Sequence, residues 1–448
     1  MKKTLAMLLA LVMLLSLFAG CGQKQDNQSS GNEANSGAQT GDANVVTYYS
    51  MWTESEPQAV ALKQIAESFE AETGIHVEIT WVGRDVLTSA KNLILNGQSP
   101  DLLDHDCSEL SAALLTGSEV MAEPLDDILD AEAYEGGGTM RELFNSEHLE
   151  MYAVDGKSYF VPYSYITSGF YYNKTEWAEM GLTAPTTWEE LIACAEAFKA
   201  AGKPFLQVEG TQYDYSAYYY YLLCERILGS GALLEAAQDT TGESWDNPGF
   251  LKAAELVYQL SQSGGNYFAE GYSGNVWPAG QSNFALGGVG ALLCGSWIPV
   301  ELGSLVSEDW EWGYFPMPAV EGYDGTGYDM EAYQIGWAIP TGAKNVDGAK
   351  KFMQYATTKE NADLYVTTSD NMSARKDTIY PEVLSDVEEY LTNANSFYLS
   401  FDGVAAYASE WTNNVFYPID LELLAGSITP EEFVAKVKAE TISFYKNK

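Results

Sequence analysis

Residues 156–206 read GKSYFVPYSYITSGFYYNKTEWAEMGLTAPTTWEELIACAEAFKAAGKPFL, and this stretch decides the fold. Its second half spells out a helix. Thr187 stands where a side-chain oxygen can cap a first turn opening at Trp188, and Glu190 follows at capping-box spacing. Leu191, Cys194, Ala195 and Phe198 then recur on one face as a buried stripe. Toward the N-terminus, Val45–Trp52 is β-branched and aromatic, which predicts a buried strand. Pro57 suits a first helical turn, and Leu62, Ile65 and Phe69 keep helical spacing until Gly74. A second strand over Val77–Val82, a helix over about residues 85–95 and a short strand around Leu102-Leu103 follow. Strand–helix–strand–helix–strand predicts right-handed crossovers and a parallel sheet, with ligands beyond the carboxyl ends of its strands. That rule points at Trp52-Thr53-Glu54 and at Asp104-His105-Asp106.

Composition narrows the function classes. The 448 residues hold 23 Lys and Arg against 63 Asp and Glu, a formal charge of −40. With 11 Trp, 30 Tyr and 17 Phe this is no disordered acidic tail but a chain with enough apolar surface for large cores. Such a charge repels phosphate backbones and anionic lipid, so nucleic-acid binding is excluded. Three scattered histidines, His76, His105 and His148, argue against a histidine-rich metal site.

The N-terminus reads as an address. Lys2 and Lys3 precede an apolar run, Leu5–Phe18, that is too short to span a membrane comfortably, and Phe18-Ala19-Gly20-Cys21 follows. That tetrapeptide resembles the lipobox of bacterial lipoproteins, with Phe18 in place of the usual Leu. Residues 1–20 are therefore expected to be a lipoprotein signal peptide and Cys21 the lipidated first residue. Residues 21–44, rich in Gly, Ser, Asn and Gln, are expected to be a flexible tether. Lys2, Lys3 and Lys24 balance Asp26, Glu33 and Asp42, so the folded body keeps the whole −40.

Further motifs stand in order along the body. They are Gly156-Lys157 with Pro162, Tyr171-Tyr172-Asn173-Lys174, Pro185–Leu191, Phe284-Ala285-Leu286-Gly287 leading into Ala291–Trp297, and Gly348–Tyr355 with Glu360 soon after. In this order they resemble the extracellular solute-binding proteins of ABC importers, the sugar-binding family typified by maltose-binding protein. The resemblance covers essentially all of residues 45–448. It implies an α/β, two-lobed periplasmic-binding-protein-like fold of type II, with the ligand cleft between the lobes. Lobe one is expected over residues 45–163 with 317–367, and lobe two over 168–313 with 372–448. Crossings between them are expected near 162–168, 313–318 and 366–371.

The family's function is then the expectation. It is an extracytoplasmic, lipid-anchored, monomeric receptor that binds a mono- or oligosaccharide without cofactor. It would hand the sugar to membrane permease subunits served by a cytoplasmic ATPase. A polyamine or other cationic solute is the rival ligand, which the acidity favours. A glycoside-active enzyme is the rival from another class, since among so many carboxylates some pair always looks plausible. Against enzymes stand the missing G-x-S-x-G elbow, H-E-x-x-H pair and Walker lysine. The acids of Tyr323–Tyr333 lack EF-hand spacing and read as a solvated loop. Cys107, Cys194, Cys224 and Cys294 form no C-x-x-C; buried inert thiols and a disulfide both stay open.

Sugar sites need aromatic faces for C–H surfaces and dense polar partners for hydroxyls. The candidates are Trp52 and Glu54 after the first strand, Asp104, His105 and Asp106 after the third, and Tyr163 and Tyr165 at a crossing. To these are added Tyr213 and Tyr215 opening an aromatic cluster, Tyr333 before a returning strand, and Arg375 near a hinge. Trp297 matches the family's G-x-W, and Trp411 lies in a C-terminal helical region that often supplies an aromatic. For the address itself, mass spectrometry of the membrane-extracted protein is expected to find Cys21 as a lipid-bearing N-terminus. An unmodified terminus downstream of Cys21 would count against the lipobox.

Overall fold

The computed structural model describes residues 44–117 and 119–448; the signal, Cys21 and all but the last residue of the tether lie outside the described residues. Eleven strands are described: β1 Val45–Ser50, β2 His76–Trp81, β3 Leu102–Asp106, β4 Val161–Ile166, β5 Ser168–Asn173, β6 Leu206–Gln207, β7 Ala291–Gly295, β8 Trp312–Phe315, β9 Asp329–Ala338, β10 Met372–Ser373 and β11 Ser396–Leu399. They form two sheets. The first runs β10-β4-β9-β3-β1-β2, with β11 alongside β9; the second runs β6-β7-β5-β8. As the βαβ pattern predicts, β1 pairs parallel with both β2 and β3. Strand β9 lies antiparallel to β3 and β4.

The local signals act where the sequence places them. The helix Pro57–Thr73 starts on its proline and ends at Gly74. The helix Trp188–Ala200 carries both halves of the capping box: the Glu190 N–H donates to Thr187 Oγ1, and the Thr187 N–H donates to the Glu190 carboxylate. One core gathers Phe69, Trp337 and Phe352 over the first sheet. Another packs Trp177, Trp188, Trp245 and Tyr219–Tyr221 over the second. Cys107, Cys194, Cys224 and Cys294 are buried and free.

The chain passes between the sheets at Thr167, where β4 stops and β5 begins. It returns between β8 and β9. Residues 372–373 still pair with β4, so the last departure comes after Ser373, later than the expected 366–371. The helix Ser385–Thr392 then docks near β8, with Asp386 accepting from Lys174 at 2.6 Å and from the Tyr314 N–H at 3.2 Å.

Two segments differ from the sequence reading. The acidic loop expected over 323–333 gives way at Asp329 to strand β9, whose first four residues pair with β11. Glu331 is buried there, accepting a hydrogen bond from the Tyr221 hydroxyl. Strand β3 runs through Asp106 rather than ending at Leu103, because Asp104, His105 and Asp106 pair with Trp337, Gly336 and Ile335. A polar run can be a buried strand only if its side chains are satisfied, and Asp104 is. Its Oδ2 accepts from Tyr48 (2.7 Å), Tyr163 (2.6 Å) and Ser50 (3.2 Å), and its Oδ1 from the Met51 N–H (2.8 Å). Asp104→Ala would leave these buried donors without an acceptor, at about 1–3 kcal/mol each. Denaturant unfolding is expected to show a loss of at least about 3 kcal/mol; a loss under about 1 kcal/mol would refute the role of this knot.

Candidate functional site

Both sheets end on one cleft. On the first side β1 ends at Ser50 and β3 at Asp106; on the second, β6 and β7 run parallel and end at Gln207 and Gly295. Trp297 follows β7. A Cβ on Gly295 would stand 1.9 Å from its indole, so the glycine is the seat on which the ring lies. The space before Trp297 is thus filled by its own ring rather than left for a ligand. The half-buried indole packs against both the first core and a third cluster under β7, with its centroid 6.4 Å from that of half-buried Tyr333. Tyr333 lies within β9, where the strand leaves β11 and enters the first sheet.

Three carboxylates trace the cleft walls. Glu109, Asp214 and Glu301 all reach solvent, yet burial is the leading cause that raises the pKa of each. Each carboxylate is open to water on one side and crowded by protein on the other. Glu109 stands on the helix Cys107–Leu114 beyond β3, and the Asp214 charge, from the helix Tyr213–Leu228 beyond β6, pushes it up further. Glu301, on the helix Ile298–Leu302, feels Arg84 and Glu56 of the opposite side. Asp106 caps the helix Cys107–Leu114 by accepting the Ser108 N–H at 2.6 Å, and its carboxyl faces the Tyr333 hydroxyl. Tyr417 lies within the field of Asp214, Glu109 and Asp106, and its ring is 6.2 Å from Tyr213.

The structure brings together Trp297, Tyr333, Asp106, Tyr213 and half-buried Tyr215. His105 borders them: its Nε2 lies 3.3 Å from the Arg84 carbonyl, its Nδ1 is buried without a protein partner, and burial pulls it down to about 4. Trp52 is at the mouth but covered, with its N–H on Tyr163 Oη at 2.8 Å and the Arg84 guanidinium 4.7 Å above its ring. Glu54 is solvated and pairs with Lys63 at 3.3 Å. Tyr165 donates to the Glu331 carbonyl at 2.7 Å and stacks on His148, a hinge contact.

Four expected ligand residues sit in the scaffold instead. Asp104 and Tyr163 belong to the buried knot under β1. Arg375 is almost fully enclosed, its guanidinium saturated by Asp377, Glu135 and the Thr357 carbonyl. Trp411 is 1% exposed, donates to Thr441 Oγ1 and stacks near Trp245 and Phe416 in the second core. In each the polar tip is already used inside the protein. An internal cavity near Arg375, Tyr163 and Trp337 lies in the first core and is not part of the cleft. Among the described residues no cluster of His, Cys, Asp and Glu could hold a metal ion, and no helix is long and apolar enough to cross a membrane.

Sequence reasoning passed over Glu109, Asp214, Glu301 and Tyr417. For Glu109 a signal existed: Asp106-Cys107-Ser108-Glu109 has capping-box spacing and opens a helix directly after a strand.

Two α/β lobes whose strand ends face one cleft define a periplasmic-type solute-binding fold. The chain belongs to the bacterial extracellular solute-binding protein family, whose profile matches residues 53–363. It is similar to a multiple sugar-binding protein of Streptococcus mutans, 27% identical over 373 residues, which are 80% of this chain and 79% of the relative. In structure it resembles RafE of Streptococcus pneumoniae at a TM-score of 0.69 and 20% identity, over 91% of this chain and 99% of that one. It also resembles a sugar transporter protein of Bacillus licheniformis, solved with stachyose, at 0.66 and 20%, over 88% and 98%.

Burial, and then the Glu109 charge, push Asp106 up to about 7 from an ordinary 3.8. Between those values the folded chain holds a proton that the unfolded chain has released. The group's contribution to stability is therefore complete below about pH 4 and lost as pH rises through about 7. Asp106→Asn stays neutral throughout, so its thermal midpoint relative to wild type is expected to rise between about pH 5 and 8. A pH-independent difference would refute the shift.

Proposed function

We propose that this chain is the lipid-anchored, extracytoplasmic receptor of a carbohydrate ABC importer. It takes a mono- or oligosaccharide between its lobes and delivers it, unaltered, to a membrane permease driven by an ATPase on the far side. The observation that carries the reading is one cleft in which half-buried aromatics, Trp297 and Tyr333, lie among wet but crowded carboxylates from both sides. Aromatic faces suit the C–H surfaces of pyranose rings, and carboxylates accept from hydroxyls that would cost about 1–3 kcal/mol each if buried unpaired. The binding of sugars by relatives of the same family supports the ligand class. Cys21 supplies the anchor, and the chain acts as a monomer.

The carboxylates also give the polyamine reading a footing: Arg84 acts on Glu301, while among the described residues no cation acts on Glu109 or Asp214. Salt separates the two. Between low and high ionic strength the affinity for a neutral sugar is expected to stay nearly constant, whereas a polycation's would fall steeply. Titration calorimetry over a panel of saccharides and polyamines at two salt concentrations is the experiment, with Trp297→Ala beside wild type. The substitution is expected to weaken sugar binding about thirtyfold, as loss of a central aromatic anchor commonly does. The empty protein is expected to lose less than the ~3–5 kcal/mol of a core tryptophan. Unchanged affinity with a large stability loss would return Trp297 to the scaffold.

A further inference from the structure

Trp277 is a large aromatic side chain left 47% exposed, and its surroundings hold it there. The loop that carries it is pinned to the carboxyl end of β6. Glu209, itself buried, accepts the N–H groups of Gly280 (3.0 Å) and Gln281 (2.7 Å), and the Thr211 N–H donates to the Asn275 carbonyl at 3.0 Å. Gly210 lets the two loops touch: a Cβ there would stand 2.4 Å from Ser273 Cα. The indole is fixed as well. Its N–H donates to Gln281 Oε1 at 3.0 Å, and Gln281, 1% exposed, reaches Cys294 of β7 with its Nε2 at 3.8 Å. The only donor of the ring is therefore occupied, and what remains to offer is its face. A pre-set aromatic face is ordered without ligand, so binding on it costs little further side-chain freedom.

Its position relates it to Trp297. The Glu301 N–H donates to the Trp297 carbonyl at 3.0 Å, which places Glu301 four residues on, about 6 Å along the helix axis. The Glu301 carboxylate lies within the influence of the Trp277 indole on its own side and of Arg84 across the cleft. Two indoles thus stand near one carboxylate, Trp297 four residues before it and Trp277 on the loop beside it.

We propose that Trp277 is a second sugar platform, at the rim of the cleft, and that the ligand is an oligosaccharide with one ring at Trp297 and another at Trp277. This rests on the carbohydrate reading above. The test is calorimetry on the full chain with single sugars (galactose, xylose, glucose, N-acetylglucosamine) and with chains (raffinose, stachyose, xylotetraose, maltotetraose, chitotetraose). Trp277→Ala is expected to weaken the chain that binds best about tenfold or more, while any single-ring affinity moves by less than about twofold. Trp277→Phe, which keeps a ring face, is expected to recover most of the loss, and the midpoint of the empty protein to stay put. Equal weakening at every length, or none at any, overturns the second platform while the sugar receptor stands. If no saccharide of any length binds wild type, both fall.

Discussion

A carboxylate with no exposure, Asp104, holds the first wall of the cleft in place. Burying a charge is tolerable only when its lone pairs are filled, and four donors fill these. Burial still raises its pKa, with Tyr163, Tyr48 and the Met51 N–H acting against it. The donors come from β1, from the turn after it and from β4, and the Trp337 N–H of β9 reaches Tyr48 Oη at 3.0 Å. One side chain therefore ties together β1, β3 and β4 directly and β9 through Tyr48. The turn fixed through the Met51 N–H also presents the Met51 carbonyl to Arg84 at 2.6 Å, which sets the guanidinium over Trp52. The mouth of the cleft is thus an indirect product of a fully buried acid.

The second wall is built the same way by other residues. Glu209 and Gln281, both buried beyond the end of β6, bind backbone and side-chain donors from one loop and hold Trp277 outward. Each sheet thus ends in a satisfied polar bracket, and each bracket orients aromatic groups it does not itself include. Binding residues on loops gain their precision from such scaffolding rather than from the loops themselves.

What was legible in the sequence follows from what is local. The parallel β1–β3 unit, the helix after Pro57 and the Thr187–Glu190 cap depend on periodicity and neighbours, and residue order displays both. Asp104-His105-Asp106 looked like the loop beyond a strand because polar residues are usually wet. Pairing with the distant Trp337, Gly336 and Ile335 makes the run a strand, and donors such as Tyr48 and Tyr163, 56 and 59 residues away, let its acid be buried. Arg375 and Trp411 were misplaced for the same reason: their partners Glu135 and Thr441 lie far along the chain. Trp277 is the converse. An isolated tryptophan in a Gly- and Pro-bearing loop has no period to reveal it, and only the fold, through Gln281 and Cys294 of β7, ties this loop to the strand that Trp297 follows. Trp297 was singled out from its G-x-W setting alone, and the structure shows its ring seated on that glycine two residues away.

The acids that face each other explain why such a cleft would need its ligand. Glu109 and Asp214 approach from opposite sides, and each is already crowded enough that its ionised form is disfavoured. Drawing the walls together removes more water from like charges, so an empty closed form is opposed by both desolvation and repulsion. On the carbohydrate reading, a sugar brings hydroxyl donors into the gap and replaces the lost water around each carboxylate, while Trp297 and Tyr333 take its apolar faces. The ligand then stabilises the closed arrangement more than the open one, which is the condition for binding to drive a conformational change at all. An anionic sugar would add to the repulsion instead of relieving it. On that reading, the carboxylates that would make closure depend on ligand would also disfavour acidic saccharides.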